Sequence, residues 1–265
     1  MSSQTTNNRS DWSASQYLKF EDERTRPARD LLSQVPIQNP KIVVDLGCGP
    51  GNSTAVLEAR YPEAHIEGID SSPDMIQKAR SVLPSRDFSV QDLESYAPAQ
   101  PVDLFYSNAV LHWLKAPTRL RVIQNLIKSQ PSGGVFAFQV PDNLSEPSHA
   151  LVRETAEQGP WAGALRDMDR DPFQSPQEIY DALKPLCSTV NIVKTEYYHP
   201  LADHKAVIEW VKGTGLRPYL DPLTSADKES FLDRYLKALK KAYPISVDGK
   251  VLLRYPRLFV VAVKE

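Results

Sequence analysis

The residues best suited to chemistry stand in one short run, Val43-Val44-Asp45-Leu46-Gly47-Cys48-Gly49-Pro50-Gly51. A strand pattern enters it and a helical pattern leaves it, the setting in which a glycine turn brings backbone close to a ligand. A dinucleotide site asks for G-x-G-x-x-G, whose third glycine lets a helix begin beside a pyrophosphate. Here the glycines fall at 47, 49 and 51, one residue early, and Asn52 takes the expected place. Asp45, two residues ahead of the first glycine, would repel a pyrophosphate but helps orient an ammonium group. That favours a ligand with a cationic amino-acid end, and S-adenosyl-L-methionine is such a ligand. Its ribose hydroxyls need an acid ending the second strand, and Ile69-Asp70 supplies one 19 residues beyond Gly51. Its adenine amine needs a polar residue ending the third, and Gln91-Asp92 supplies that.

These groups converge only if a parallel sheet aligns them. Ile42–Val44, Ala64–Ile69, Phe88–Val90, Val102–Tyr106 and Val135–Val140 read as strands, and the last is apolar enough to be buried on both faces. Helical patterns lie between them, over Asn52–Tyr61 and Leu120–Ile127. Ser72-Pro73-Asp74 opens another helix with a capping serine, a first-turn proline and an acid at the positive dipole end. Such alternation predicts an α/β, doubly wound, Rossmann-like sheet over about residues 40 to 140.

Beyond Pro141 the pattern loosens. Ser148–Glu157 and Gln177–Leu186 look helical, Val190–Tyr198 a strand, and Lys205–Lys212 a short helix. Thr214–Pro218 reads as a rigid turn, and a longer helix with a wide apolar stripe starts at Thr224. Residues 201 to 250 are thus expected to form a helical cap inserted before a last strand, Leu258–Val263. Residues 1–10 are expected to be a disordered tail, and 11–265 a single domain.

The chain resembles the trans-aconitate methyltransferases, a family of class I S-adenosylmethionine-dependent enzymes. DLGCGPGNST at 45–54 is common to many methyltransferases. The family-specific parts are Trp12, Tyr17, Phe20 and Arg24-Thr25-Arg26-Pro27; GIDSSPDM at 68–75; Pro141-Asp142-Asn143; Tyr197-Tyr198-His199; TGLRPYL at 214–220; and Tyr255-Pro256-Arg257-Leu258-Phe259. The resemblance implies methyl transfer to one carboxylate of trans-aconitate or a closely related small polycarboxylate. It also implies that Ser107-Asn108-Ala109, after the fourth strand, passes close to the methionine end of the cofactor. On this reading Arg26, Asp45, Gly47, Cys48, Gly49, Asn52, Asp70, Ser71, Met75, Gln91, Asp92, Leu93, Asn108 and Trp113 fall to the cofactor.

A carboxylate is already ionised at pH 7 and attacks a sulfonium methyl without a general base. Catalysis then rests on alignment and exclusion of water. The non-reacting carboxylates call for arginine, whose fork binds them bidentately. Arg217, in a Gly/Pro-bounded turn, and Arg257, entering an apolar strand, are the leading candidates for alignment. Arg24 and Arg26 are read as preceding the first helix, and either arginine is placed to meet a carboxylate of substrate or cofactor. Tyr17, His112, Tyr198, His199 and Tyr219 complete the substrate set as hydrogen-bonding groups. Transfer to a hydroxyl or amine of another metabolite would instead need a base and put weight on His112. A non-catalytic cofactor-binding module and a nicotinamide-dependent oxidoreductase are the remaining rivals, the latter disfavoured by the early third glycine.

Composition narrows the class. The 265 residues carry 31 Lys+Arg against 33 Asp+Glu, a net charge of −2, with no basic stripe for nucleic acid. Cys48 and Cys187 lie far apart, the five histidines show no zinc spacing, and no apolar run reaches membrane-spanning length. MSSQTTNNRS lacks the apolar core of a secretory signal. A metal-free cytoplasmic protein with a small-molecule substrate is expected; the oligomeric state is not legible.

Overall fold

Short β-branched and aromatic runs alternate with amphipathic helices from Ile42 onward, and the fold is that alternation wound into a sheet. The computed structural model describes residues 21–166, 168, 171–213 and 215–265, and of Glu21, Asp22 and Arg24 the backbone alone. Strands β1 (Ile42–Leu46), β2 (His65–Asp70), β3 (Asp87–Val90), β4 (Leu104–Asn108) and β5 (Val135–Pro141) run parallel. With β6 (Cys187–Leu201) and β7 (Val251–Lys264) the order is β3-β2-β1-β4-β5-β7-β6, β7 being antiparallel to both neighbours. The helices are α1 (Glu21–Ser33), α2 (Asn52–Arg60), α3 (Pro73–Val82), α4 (Ala116–Ser129), α5 (Pro147–Glu157) and α6 (Pro176–Leu183). Three more, α7 (His204–Lys212), α8 (Arg217–Leu220) and α9 (Ser225–Ala242), fall between β6 and β7.

Every residue of β5 is buried, because helices cover both faces of the sheet. Val43, Tyr106, Ala137, Phe259 and Tyr197 share one core with α1, α2, α7 and α9. Val44, Leu46, Phe105, Phe138 and Val260 share the other with α4 and α6. The cap of α3 is as expected: the Ser72 side chain accepts from the Met75 N–H and Pro73 opens the helix.

β6 and β7 are longer than their apolar runs. Outer-face residues of β6 and Leu252 and Arg254 of β7 are exposed, so alternation replaces the continuous apolar pattern that marks Leu258–Val263. The extra length has a consequence. Pro141, the last residue of β5, pairs with Arg257, so Val251–Pro256 runs on past the carboxyl edge paired with Glu196–Leu201 and, at Val251, bridged by Ile245. This two-stranded arm ends in α7, α8 and α9.

Arg24 and Arg26 do not precede the first helix. Both lie inside α1, which continues through Pro27. A proline costs a helix one N–H and frees one carbonyl, and tertiary packing offsets that here. Ala28, Leu31 and Leu32 are buried, and the Tyr106 hydroxyl donates to the Ala28 carbonyl.

Gly47 (φ +72°) is required twice over, since a Cβ there would overlap the Val110 side chain. The loop after β4 is held by Arg119, which is fully buried. Its guanidinium donates to the carbonyls of His112 (3.3 Å), Leu114 (2.8 Å), Asp171 (3.0 Å) and Pro172 (2.5 Å). Arg119→Met removes these donors and leaves buried carbonyls behind, so we expect a loss of about 3 kcal/mol or more by urea denaturation.

Candidate functional site

The site begins at the glycine turn. Gly47 and Cys48 N–H groups both donate to the Ile69 carbonyl (2.8 and 2.9 Å). The Asp70 carboxylate accepts from Gly49 N–H (3.0 Å) through one oxygen and from Ser72 N–H (2.9 Å) through the other. Each oxygen keeps lone-pair capacity for further donors. Beside Asp70, Gln91 N–H donates to its carbonyl (3.0 Å), and the Gln91 side chain donates to Ser89 (2.9 Å). Ser71 and Asp92 are exposed at these strand ends, while Met75 and Leu93 are buried behind them.

Asp45 is fully buried. Its Oδ2 accepts from Ser53 Oγ and Thr54 Oγ1, both at 2.7 Å. Its Oδ1, like Oδ1 of Asn108, is buried with no hydrogen-bond partner among the described residues. Burial pushes the Asp45 carboxyl up to about 6, against the two hydroxyl hydrogen bonds that lower it. A cleft of about 290 Å³ opens here, lined by Thr25, Gly47, Cys48, Gly49, Asn52 and Asn108. A Cβ at Gly49 would point into open space, and Gly51 (φ 98°) gives the start of α2 no side-chain cap. Beyond Asn108 the chain turns through Ala109 in the left-handed region (φ 61°).

A second cluster lies on the arm. Arg257 is buried, donates from Nη1 to Gln139 Oε1 (3.3 Å), and stands 4.7 Å from the Tyr255 ring centroid and 5.4 Å from that of Tyr197. Arg26 lies 4.8 Å from the Tyr197 ring and 3.6 Å from Asp30. The Tyr197 hydroxyl donates to Asp30 Oδ2 at 2.5 Å. Burial, then Asp30, pushes its phenol well above the usual tyrosine value. His199 stacks on Tyr197 at 6.0 Å and packs against Trp210 at 4.5 Å.

The structure therefore brings Arg26, Arg257 and His199 together around Tyr197, which the sequence reading quoted without assigning. Tyr198 is not brought there. One residue on in a strand, it points to the opposite face, is 55 % exposed and donates to Glu196 (3.0 Å). The period-2 relation to His199 is the signal that would have selected Tyr197.

A second cleft, about 370 Å³, is lined by Trp113, Leu144, His149, Arg153, Pro218 and Tyr219. Trp113, assigned from sequence to the cofactor, lines this cleft, with buried His112 at 4.7 Å. Arg217 opens α8, a helical turn, and pairs with Asp221 at 3.5 Å. Asn143 was quoted from sequence without a role and His149 was not singled out; their side chains meet at 3.2 Å, and His149 also contacts Ser148 Oγ at 3.0 Å. Trp12, Tyr17, Phe20 and Thr214 lie outside the described residues, as does the Arg24 side chain. No helix among the described residues is long and apolar enough to cross a membrane.

Comparison with known proteins supports this geometry. A family model described as a methyltransferase domain matches residues 43–134. Among solved structures, the YcgJ protein of Bacillus subtilis aligns with a TM-score of 0.59 at 13 % identity, covering 91 % of this chain and 99 % of that one. A putative methyltransferase of Bacillus halodurans aligns with a TM-score of 0.57 at 11 % identity, covering 90 % and 99 %. These share the Rossmann-like class I methyltransferase fold. Curated relatives named trans-aconitate 2-methyltransferase are far nearer. The protein of Rhodopseudomonas palustris is 50 % identical and that of Agrobacterium fabrum 51 % identical, each over 96 % of this chain and 99 % of its own length. With half its positions shared over almost the whole of these relatives, the chain belongs to the trans-aconitate 2-methyltransferase family.

Proposed function

We propose that this protein methylates one carboxylate of trans-aconitate, or of a closely related small polycarboxylate, from S-adenosyl-L-methionine, giving a monomethyl ester. When bound, the cofactor supplies a sulfonium methyl that an ionised carboxylate displaces in line. The residues present fit it. Buried acceptors on Asp45 and Asn108 suit its ammonium, and the uncapped start of α2 suits its carboxylate. The carboxylate of Asp70 suits its ribose, Gln91 and Asp92 suit its adenine, and Gly49 leaves the backbone open to close approach.

The observation that carries the substrate reading is Arg257. Its guanidinium is buried on the sheet face that also holds Asp45 and Asn108, where its planar fork suits a carboxylate. Arg26, Arg217, His199 and Tyr219 supply further donors to the remaining carboxylates. No side chain has to remove a proton, so the chain contributes orientation and dryness. The helices at the end of the arm act as the lid that excludes water, in one domain with the sheet. The partner is a small acid, with neither nucleic acid nor membrane involved. Both cysteines are free and buried, in keeping with the reducing cytoplasm to which we assign the protein.

Arg257→Met and Arg217→Ala are each expected to lower kcat/KM for trans-aconitate about 100-fold, about 2.7 kcal/mol, while affinity for S-adenosylhomocysteine stays within about threefold. Normal turnover in both variants would overturn the arginine pocket. Asp45 gives a second prediction. Its folded value near 6 lies above the ordinary aspartate value of 3.8, so the ligand-free fold holds this proton more tightly than the unfolded chain. Its contribution is therefore fully present below pH 4 and is lost as pH rises through 6. Asp45→Asn should gain on wild type by about 3 kcal/mol between pH 4 and 7 in paired urea melts. A constant difference across that range would contradict the assignment.

A further inference from the structure

Gln139 is fully buried on β5, and its side chain is oriented by a partner of fixed chemistry. Nη1 of Arg257 lies 3.3 Å from Oε1. A guanidinium donates and never accepts, so the carbonyl end of the amide must face it. The NH2 end then points away from Arg257, and Nε2 has no hydrogen-bond partner among the described residues. Buried amide donors are otherwise almost always satisfied. What completes this one is an acceptor that the described residues do not provide.

Register shows where that acceptor must sit. Asn108 of β4 pairs with Gln139, and Asp45 of β1 pairs with Tyr106, two residues before Asn108 on the same face. Arg257 pairs with Pro141, two residues beyond Gln139, also on that face. The row runs from a buried acceptor, Asp45 Oδ1, to two buried donors, Gln139 Nε2 and Arg257. β4 separates β1 from β5 and β7 lies one strand further, so Asp45 and the two donors are at least about 10 Å apart. An amino acid's own carboxylate is two bonds from its ammonium and cannot span that distance. The donor end thus belongs to a second anion.

Resting on the proposed function, we infer that Gln139 is a substrate-binding residue, whose amide NH2 and the Arg257 guanidinium together hold one non-reacting carboxylate of the acceptor acid. Gln139 selects for an ionised oxygen at that position and holds Arg257 in line with it. The two act as one carboxylate clamp drawn from strands 118 residues apart in sequence.

Gln139→Glu tests this, because it keeps the shape and the bond to Arg257 but replaces the free donor by an anionic oxygen. Titration calorimetry of trans-aconitate into the S-adenosylhomocysteine complex, with initial-rate kinetics, gives the readout. We expect Kd and KM for trans-aconitate to rise at least 30-fold, with S-adenosylhomocysteine affinity and melting temperature unchanged. Gln139→Leu, which removes the donor without adding charge, should raise KM about tenfold and narrow the preference for polycarboxylates over monocarboxylates. Trans-aconitate affinity within threefold of wild type in both variants would overturn the inference alone. A loss confined to S-adenosylhomocysteine would assign the anion to the cofactor and overturn it too. Wild-type protein that binds no trans-aconitate would overturn the proposed function along with it.

Discussion

The reversed direction of β7 is the constraint on which the rest of the molecule depends. A parallel strand beside β5 would need a crossover returning to the amino edge. An antiparallel strand instead enters from the carboxyl edge, so Val251–Pro256 and its partners Glu196–Leu201 stand above the sheet before β7 joins it. Arg257 is delivered where the arm meets β5, next to Gln139. The helices between Leu201 and Val251 are delivered to the same edge as the glycine turn. One pairing choice therefore sets the proposed anion clamp, the proposed lid and their nearness to the cleft at the glycine turn.

The arm has to be stiff for that to matter. Arg254, on its outer face, donates to both oxygens of Glu196 on β6 and to Glu146 in the segment between β5 and α5. Burial raises the Glu146 carboxyl, and Arg254 acts in the opposite sense. The network joins the arm to the segment that carries Asn143 and leads into α5 with His149, residues that line or support the second cleft. On the inner face, Tyr197 and Tyr255 give Arg257 aromatic partners in place of water. The same face concentrates polar groups without a partner among the described residues: Asp45 Oδ1, Asn108 Oδ1 and Gln139 Nε2. Their cost falls on stability, and ligands are what relieve it.

The half of the fold that holds the cofactor was legible because its signals are local. A strand, a glycine turn and a capped helix each occupy fewer than a dozen residues, and Asp45 and Asp70 follow from their places in that order. The arm was less legible. Its strands bury one face, so polar and apolar residues alternate; the sequence reading finds Val190–Tyr198 of β6 but only the doubly buried end of β7. That same alternation decides between Tyr197 and Tyr198. Gln139 was visible as the one amide in an otherwise apolar strand buried on both faces. Its meaning depends on Arg257, whose position relative to β5 is a matter of strand register. Arg26 stands in a helix because packing of Ala28 and Leu31 outweighs the cost of Pro27.

The central claim is that a sheet-edge cofactor site and a buried cationic clamp together esterify a small polycarboxylate. The most direct measurement is mass spectrometry after incubation with S-adenosylmethionine and a panel of acids: trans-aconitate, cis-aconitate, citrate, isocitrate and a monocarboxylate. The account predicts a gain of one methyl on trans-aconitate and its close relatives, with none on the monocarboxylate. No methylated acid despite a clear thermal shift with S-adenosylmethionine, or methylation of the monocarboxylate as readily as of trans-aconitate, would contradict it.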